Sequence, residues 1–174
     1  MKSTNTEILL RNRRLFIASR DDTFARARRL VDRILELFPD DAPGAVDAAE
    51  LEKRISELVR TLFEARYFAR MSIGGNNAQP PPEIDNLERA FVDHVETMYS
   101  YSRSINRFLR HELLIESFVR DHPDVAEDLR GYLAEIRTSD FNLIHVNLHS
   151  MRNRLNVYDR FMNHSVAAPA ETRV

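Results

Sequence analysis

Apolar residues recur every three or four positions along most of this chain of 174 residues, which is the spacing of one face of an α-helix. None of the seven prolines interrupts the pattern, so proline-containing turns separate one helical stretch from the next. The sequence therefore predicts an all-α protein, an antiparallel bundle of long amphipathic helices. The predicted helical stretches are approximately 4–38, 47–73, 84–121, 123–137 and 138–164.

The apolar stripe within each long stretch identifies the candidate core, and in the second stretch Val59, Phe63 and Tyr67 broaden the stripe. The last stripe has the alternating steps of three and four that are typical of coiled coils. The predicted core residues are Phe24, Ala27, Val31, Ile34, Phe38, Leu51, Ile55, Leu58, Leu62, Ala65, Ile84, Leu87, Phe91, Val95, Met98, Ser102, Ile105, Leu109, Leu113, Phe141, Ile144, Leu148, Met151, Leu155, Tyr158 and Met162.

Two short polar runs indicate breaks between helices. Within the first stretch, Asp21 or Asp22 in the run 19–22 is a suitable N-cap for a second helix. The run 138–140 is predicted to cap the last helix, after a short helix that begins near Pro123. If the stretch 84–121 is unbroken, it spans about 57 Å, which is long for a domain of this size. We therefore expect part of it to pack against a second subunit, as in a homodimer.

The domain organisation follows from the turn-forming residues. Residues 1–164 are predicted to form a single helical domain, and residues 165–174 a disordered tail. The segment 74–83 combines two glycines, polar turn formers and three consecutive prolines, so we expect it to be a mobile Gly/Pro-rich loop.

Composition narrows the function classes. The chain has no cysteine, which excludes disulfides, cysteine-ligated metals and a cysteine nucleophile. The apolar run 8–10 is cut by arginines and is too short for a signal peptide or a membrane span. We expect a soluble cytoplasmic protein with no membrane association and no bound cofactor. Residues 1–33 carry nine basic and four acidic groups, whereas residues 34–100 carry six and thirteen, which favours charge pairing within or between subunits.

A pair of histidines lies in the last stretch. His145 and His149 are four residues apart, so they share one face of a helix and are candidate ligands for one metal ion. Such a site needs further ligands from other helices, because two imidazoles leave most of the coordination shell open.

A second hypothesis concerns His149 alone. His149 is followed four residues later by Asn153, then Arg154 and Leu155, and this order resembles the phosphoacceptor helix of some sensor histidine kinases and related phosphotransferases. The resemblance covers about nine residues and implies that His149 is a nucleophile towards a phosphoryl group. No Gly-rich ATP-binding region follows, so it implies phosphotransfer without kinase activity.

A third hypothesis rests on the Arg-Asn pair of Arg152 and Asn153. This pair is similar to the Arg-Asn start of the helical ribonuclease and antitoxin-associated domains known as HEPN. Val157 and Tyr158 stand where that family has a histidine, so the resemblance implies a relative without the catalytic imidazole that contacts nucleic acid or a partner. The N-terminal cluster of Arg11, Arg13 and Arg14 adds a second candidate phosphate-binding surface. 

The long stripes and the lack of a nucleophile elbow, P-loop or dinucleotide fingerprint favour a non-enzymatic interaction or regulatory protein. We expect it to act through helix–helix contacts with a protein partner, chiefly a second copy of itself. Histidine phosphotransfer, metal binding and nucleic-acid contact stay as alternatives.

Overall fold

The protein is an all-α bundle, as the apolar pattern predicts. The computed structural model describes residues 2–72 and 82–167, and within these ranges it contains no β-strand. Single turns of 3₁₀ helix, at Pro43–Ala45 and Pro123–Val125, lie in two of the connections. The long helices are α1 (Lys2–Leu35), α2 (Ala48–Ser72), α3 (Pro82–Asp121) and α4 (Ala126–Ala167).

Neighbouring helices are antiparallel. Arg13 of α1 contacts Ser72 at the end of α2, whereas Arg26, further along α1, contacts Glu64, earlier in α2. The same reversal relates Ser56–Ser102 and Glu52–Asn106 between α2 and α3, Phe91–Tyr158 and Phe108–Phe141 between α3 and α4, and Phe24–Tyr158 and Asp32–Arg152 between α1 and α4. Because α4 also packs on α1, the four helices enclose one core.

The predicted stripes of α1 and α4, the narrow stripe of α2 and the part of the α3 stripe from Phe91 to Ile105 form this core. Phe24, Leu51, Leu62 and Leu148 are each 0% exposed, and burial of a side chain of this size contributes about 1.5–3 kcal/mol. The same prediction is confirmed for the other described members of these stripes.

The two predicted helix breaks are wrong. α1 continues through Asp21 and Asp22, and α4 runs without interruption through the run 138–140. Thr138 does not cap a helix, because its hydroxyl donates to the Ala134 carbonyl oxygen at 2.9 Å, one turn earlier in the same helix. Residues within or next to both polar runs are buried, Arg20 and Thr23 at the first and Phe141 at the second, so tertiary packing holds the backbone helical where local capping signals favour a break.

Three predicted core positions are exposed instead. Phe63 and Tyr67 of α2 are 49% and 53% exposed, so the broad α2 stripe is wrong on that side. Leu113 of α3 is 73% exposed, and Phe108 and Val119 are buried in its place. This end of α3 extends past α1 and α2, so neither of those helices covers the face that carries Leu113.

α3 and α4 extend well past the other two helices. Glu52 meets Asn106 at 2.9 Å, and α2 begins four residues before Glu52, whereas α3 continues for fifteen residues after Asn106. Those fifteen residues span roughly 22 Å. The end of α3 and the start of α4, residues 109–136, therefore form a two-helix projection that we call the distal hairpin.

The predicted loop and tail fall largely outside the described residues. Within the predicted loop 74–83, residues 74–81 lie outside the described ranges, and α3 already begins at Pro82. α4 reaches Ala167, so the first three residues of the predicted tail are helical, and residues 168–174 lie outside. No helix in the described part of the chain has a segment long and apolar enough to cross a membrane.

Candidate functional site

The structure brings the two histidines of α4 together. The Nε2 atoms of His145 and His149 are 3.3 Å apart, as their four-residue spacing on one helix predicts. His145 is half-buried and its ring lies 4.8 Å from the ring of Phe38, between centroids. His149 is exposed, which a phosphoacceptor imidazole requires, and its role as a nucleophile stays a prediction.

The described side chains place no third metal ligand beside His145 and His149. Among the side chains that the structure describes, no group of three or more histidine and acidic residues has the geometry to hold a metal ion. His94 and Glu112, two possible contributors, are engaged elsewhere: His94 accepts from Arg154 and Glu112 pairs with Arg137. The described part of the chain thus offers a metal ion two imidazoles and no third side chain.

We expect His145 to titrate below the ordinary histidine pKa of about 6.5. Burial disfavours its charged form, and the nearby His149 lowers the pKa further by charge repulsion. Because the folded state binds this proton more weakly than the unfolded state, its protonation reduces stability as the pH falls below about 6.5. NMR titration of the ring protons measures the effect.

His149→Gln supplies the control for this titration. It is expected to raise the pKa of His145 part of the way, because it removes the like charge and leaves the burial against Phe38 in place. A midpoint for His145 at or above that of histidine in the urea-unfolded chain would contradict the assignment.

The predicted phosphate-binding residues do not converge. Arg152 lies 3.4 Å from Asp32 of α1, so its charge is already partly neutralised. Arg13 donates to the Ser72 carbonyl oxygen at 3.3 Å, and Arg11 and Arg14 are exposed beside it. Asp32 and Arg14 are eighteen residues apart on one helix, roughly 27 Å. The N-terminal arginines and Arg152 therefore form separate surfaces.

Asn153, adjacent to Arg152, lies on a different side of α4. It lines a groove between α3 and α4, together with Phe91 and Arg154. Val157 and Tyr158 occupy the positions on α4 where the HEPN pattern has a histidine. The imidazole that contacts Arg154 belongs instead to His94 of α3. Asn153 is thus a predicted binding residue that lines a groove which no sequence pattern predicts.

Arg137 joins the connection between α1 and α2 to the base of the distal hairpin. Its guanidinium donates to the carbonyl oxygens of Gly44, at 2.8 Å, and Val46. It also lies over the rings of Phe108 and Phe141, 5.7 and 5.6 Å from their centroids. A side chain at Gly44 would meet the Thr138 backbone at 3.0 Å, so glycine allows this close approach.

The distal hairpin has its own small interior and ion pairs. Val119 and Leu133 are 6% and 7% exposed. Glu116 accepts from Arg130 at 3.2 Å, and this hydrogen bond, with the arginine's charge, lowers the pKa of the Glu116 carboxyl. These contacts hold the two helices of the hairpin side by side, and they leave the outer face of α3 uncovered.

That outer face of α3 carries an ordered row of exposed side chains. Leu114 and Phe118 are 66% and 50% exposed, and the Phe118 ring stacks on His122 with centroids 4.3 Å apart. Steps of three and four residues keep the whole row on one face. We call this row the α3 stripe; it consists of Arg103, Arg107, Arg110, Leu114, Phe118 and Asp121.

Comparison of the chain with protein-family models, with curated proteins and with solved structures found no match.

Proposed function

We propose that this chain is a non-enzymatic interaction protein that acts through helix–helix contacts, and that its partner is a second copy of itself docked on the α3 stripe. The observation that carries the proposal is the pair of exposed apolar side chains, Leu114 and Phe118, in the middle of this row. Side chains of this size are removed from water when a second helix covers them, which favours association.

The order of residues in the α3 stripe is self-complementary. Four residues on either side of Leu114 stand Arg110 and Phe118, and seven residues on either side stand Arg107 and Asp121. Two antiparallel copies related by a two-fold axis at Leu114 therefore place each residue opposite its mirror position. Leu114 meets Leu114 of the second copy.

Each of the flanking pairs is chemically favourable in this register. Arg110 of one copy lies opposite Phe118 of the other, a cation–π pair, and Arg107 lies opposite Asp121, an ion pair. Each pair occurs twice because of the symmetry. Within the described residues, Arg107, Arg110 and Asp121 form no ion pair, so their charges are available to a second copy.

The free energy of association expected from these contacts is that of a weak dimer. Exposed ion pairs contribute about 0–1 kcal/mol each, so burial of the leucine and phenylalanine side chains dominates. A contact between two single helices is small compared with the interfaces of obligate dimers. We expect association in the micromolar range, and the absence of cysteine suits a role in the reducing cytoplasm.

Leu114→Cys is expected to form a disulfide-linked dimer under mild oxidation. The chain has no native cysteine, so each new thiol can pair only with its own copy in a second molecule. A residue on the two-fold axis brings its two Cβ atoms close enough for a disulfide, which needs a separation of about 3.5–4.5 Å. Non-reducing electrophoresis over time measures the rate.

Leu113→Cys is the matched control, because Leu113 is the same residue type, is more exposed at 73%, and points about 100° away around the helix. Its disulfide is expected to form at least tenfold more slowly. Equal rates at the two positions would indicate random collision and contradict the register.

Sedimentation supplies an independent test of self-association. Leu114→Asp is expected to give a monomer at concentrations where the native chain dimerises. A monomeric native chain at several hundred micromolar would overturn the proposal.

A further inference from the structure

A second surface feature lies in the half of the bundle away from the distal hairpin. It is an apolar groove of about 230 Å³ between α3 and α4. Its floor contains the stacked rings of Phe91 and Tyr158, with centroids 4.7 Å apart, both at least 96% buried. Ala90 and Val157, which is 60% exposed, form part of its walls. Concave apolar surfaces of this kind, with a few polar groups at the edge, are typical of small-molecule sites.

The polar edge of the groove is a contact between His94 and Arg154. The Arg154 Nη1 donates to His94 Nδ1 at 2.8 Å, so Nδ1 is the unprotonated nitrogen and Nε2 carries the proton. Burial, followed by the charge of Arg154, lowers the pKa of His94, whereas Asp93 raises it by a smaller amount. The imidazole is therefore neutral at neutral pH and does not repel the guanidinium.

The positive charge of Arg154 has no carboxylate partner in the described part of the chain. Arg28 and Arg137 do have such partners, Asp159 and Glu112. A guanidinium offers five N–H donors, and the contact with His94 uses one of them. Arg154 thus has donors left, at the edge of an apolar groove, in the arrangement that a carboxylate accepts in a bidentate way.

We propose that this groove binds a small monocarboxylate with an apolar body. The carboxylate pairs with Arg154, and Asn153 and His94, which line the same groove, each carry an N–H that can serve as a further donor. The apolar body covers Phe91 and Val157. The volume is below the roughly 300–1,000 Å³ of sites for drug-sized ligands, so the ligand is small. The site is independent of self-association, because it shares no residue with the α3 stripe.

Phenylacetate and its neutral isostere phenylacetamide form a matched pair of probes. NMR titration of the methyl groups of Ala90 and Val157 is expected to show saturable binding of the acid. The amide is expected to bind roughly 10- to 100-fold more weakly, as the loss of a charge-assisted hydrogen bond implies. Equal affinity for acid and amide would overturn the proposal, because the groove would then be a simple apolar patch.

Two variants locate the site. Arg154→Met is expected to weaken phenylacetate by roughly 10- to 100-fold and to leave phenylacetamide unchanged, and Ala90→Trp, which fills the groove, is expected to abolish both. Arg60→Met, at an exposed position of α2, is the matched control and is expected to change neither. Unaltered affinity for phenylacetate in Arg154→Met would contradict the assignment. Failure of phenylacetate to saturate the native chain up to about 10 mM would also contradict it, and is the outcome expected if another segment of the chain occupies the groove.

Discussion

Replacing Phe24 with alanine is expected to lower the free energy of unfolding by about 3–5 kcal/mol, the largest effect we anticipate for a single residue. Phe24 is 0% exposed and its ring lies 5.2 Å from that of Tyr158 and 6.0 Å from that of Phe91, between centroids. It therefore joins α1 to both α3 and α4. The truncation removes buried apolar surface and leaves a cavity that three helices cannot close without moving.

Phe63→Ala is the matched control for this experiment. Phe63 is also a helical phenylalanine, but it is 49% exposed, so its truncation is expected to cost less than about 1 kcal/mol. Both variants are compared by urea denaturation in the Leu114→Asp background, where dimer formation does not contribute to stability. Similar losses for the two phenylalanines would show that the burial assigned to α1 is wrong.

The second large effect is expected at Arg137. Arg137→Met keeps an unbranched side chain but removes the hydrogen bonds to the Gly44 and Val46 carbonyl oxygens. Hydrogen bonds from a charged donor contribute about 1.5–3 kcal/mol each, so we expect a loss of about 2–4 kcal/mol after partial compensation by water. The cation–π contacts with Phe108 and Phe141 add to the loss.

Hydrogen exchange distinguishes this local role from a general loss of stability. In Arg137→Met, the amide of Val46, which donates to the Pro43 carbonyl oxygen, is expected to exchange much faster than amides in the middle of α2. Arg130→Met, at an exposed arginine paired with Glu116, is expected to cost less than about 1 kcal/mol. A loss at position 130 as large as that at position 137 would contradict the role assigned to Arg137.

Most of the core could be predicted because helical periodicity depends on local spacing. The last stripe, from Phe141 to Tyr158, is buried throughout its described members. Periodicity identifies a face but not how far along a helix a partner extends. Leu113 continues the α3 pattern and is exposed, because its position relative to the ends of α1 and α2 depends on the lengths of four helices together.

The predicted helix breaks failed for a related reason. The runs 19–22 and 138–140 contain residues that favour caps when a helix end is free. In the bundle, Arg20 is 1% exposed and Phe141 is 1% exposed, so both runs lie within packed segments. Burial of their neighbours outweighs a capping preference of about 1 kcal/mol.

The candidate sites were predictable only where their residues lie on one helix. The contact between His145 and His149 follows from a spacing of four residues. The groove could not be predicted in this way, because it depends on the pairing of α3 with α4. His94 and Arg154, at its edge, are sixty residues apart in the sequence. The self-complementary order of the α3 stripe is present in the sequence, but its significance depends on exposure that no single-helix pattern reveals.

The pairing of α4 with α1 has a consequence for the order of folding. α1 and α2 are joined by residues 36–47, and α3 and α4 by residues 122–125, so each of these hairpins closes a far smaller loop than a contact between α1 and α4 does. The contact of Arg28 with Asp159 joins residues 131 positions apart. Because such long-range contacts carry the larger loop-closure cost, we expect the two hairpins to form before the first helix docks on the last.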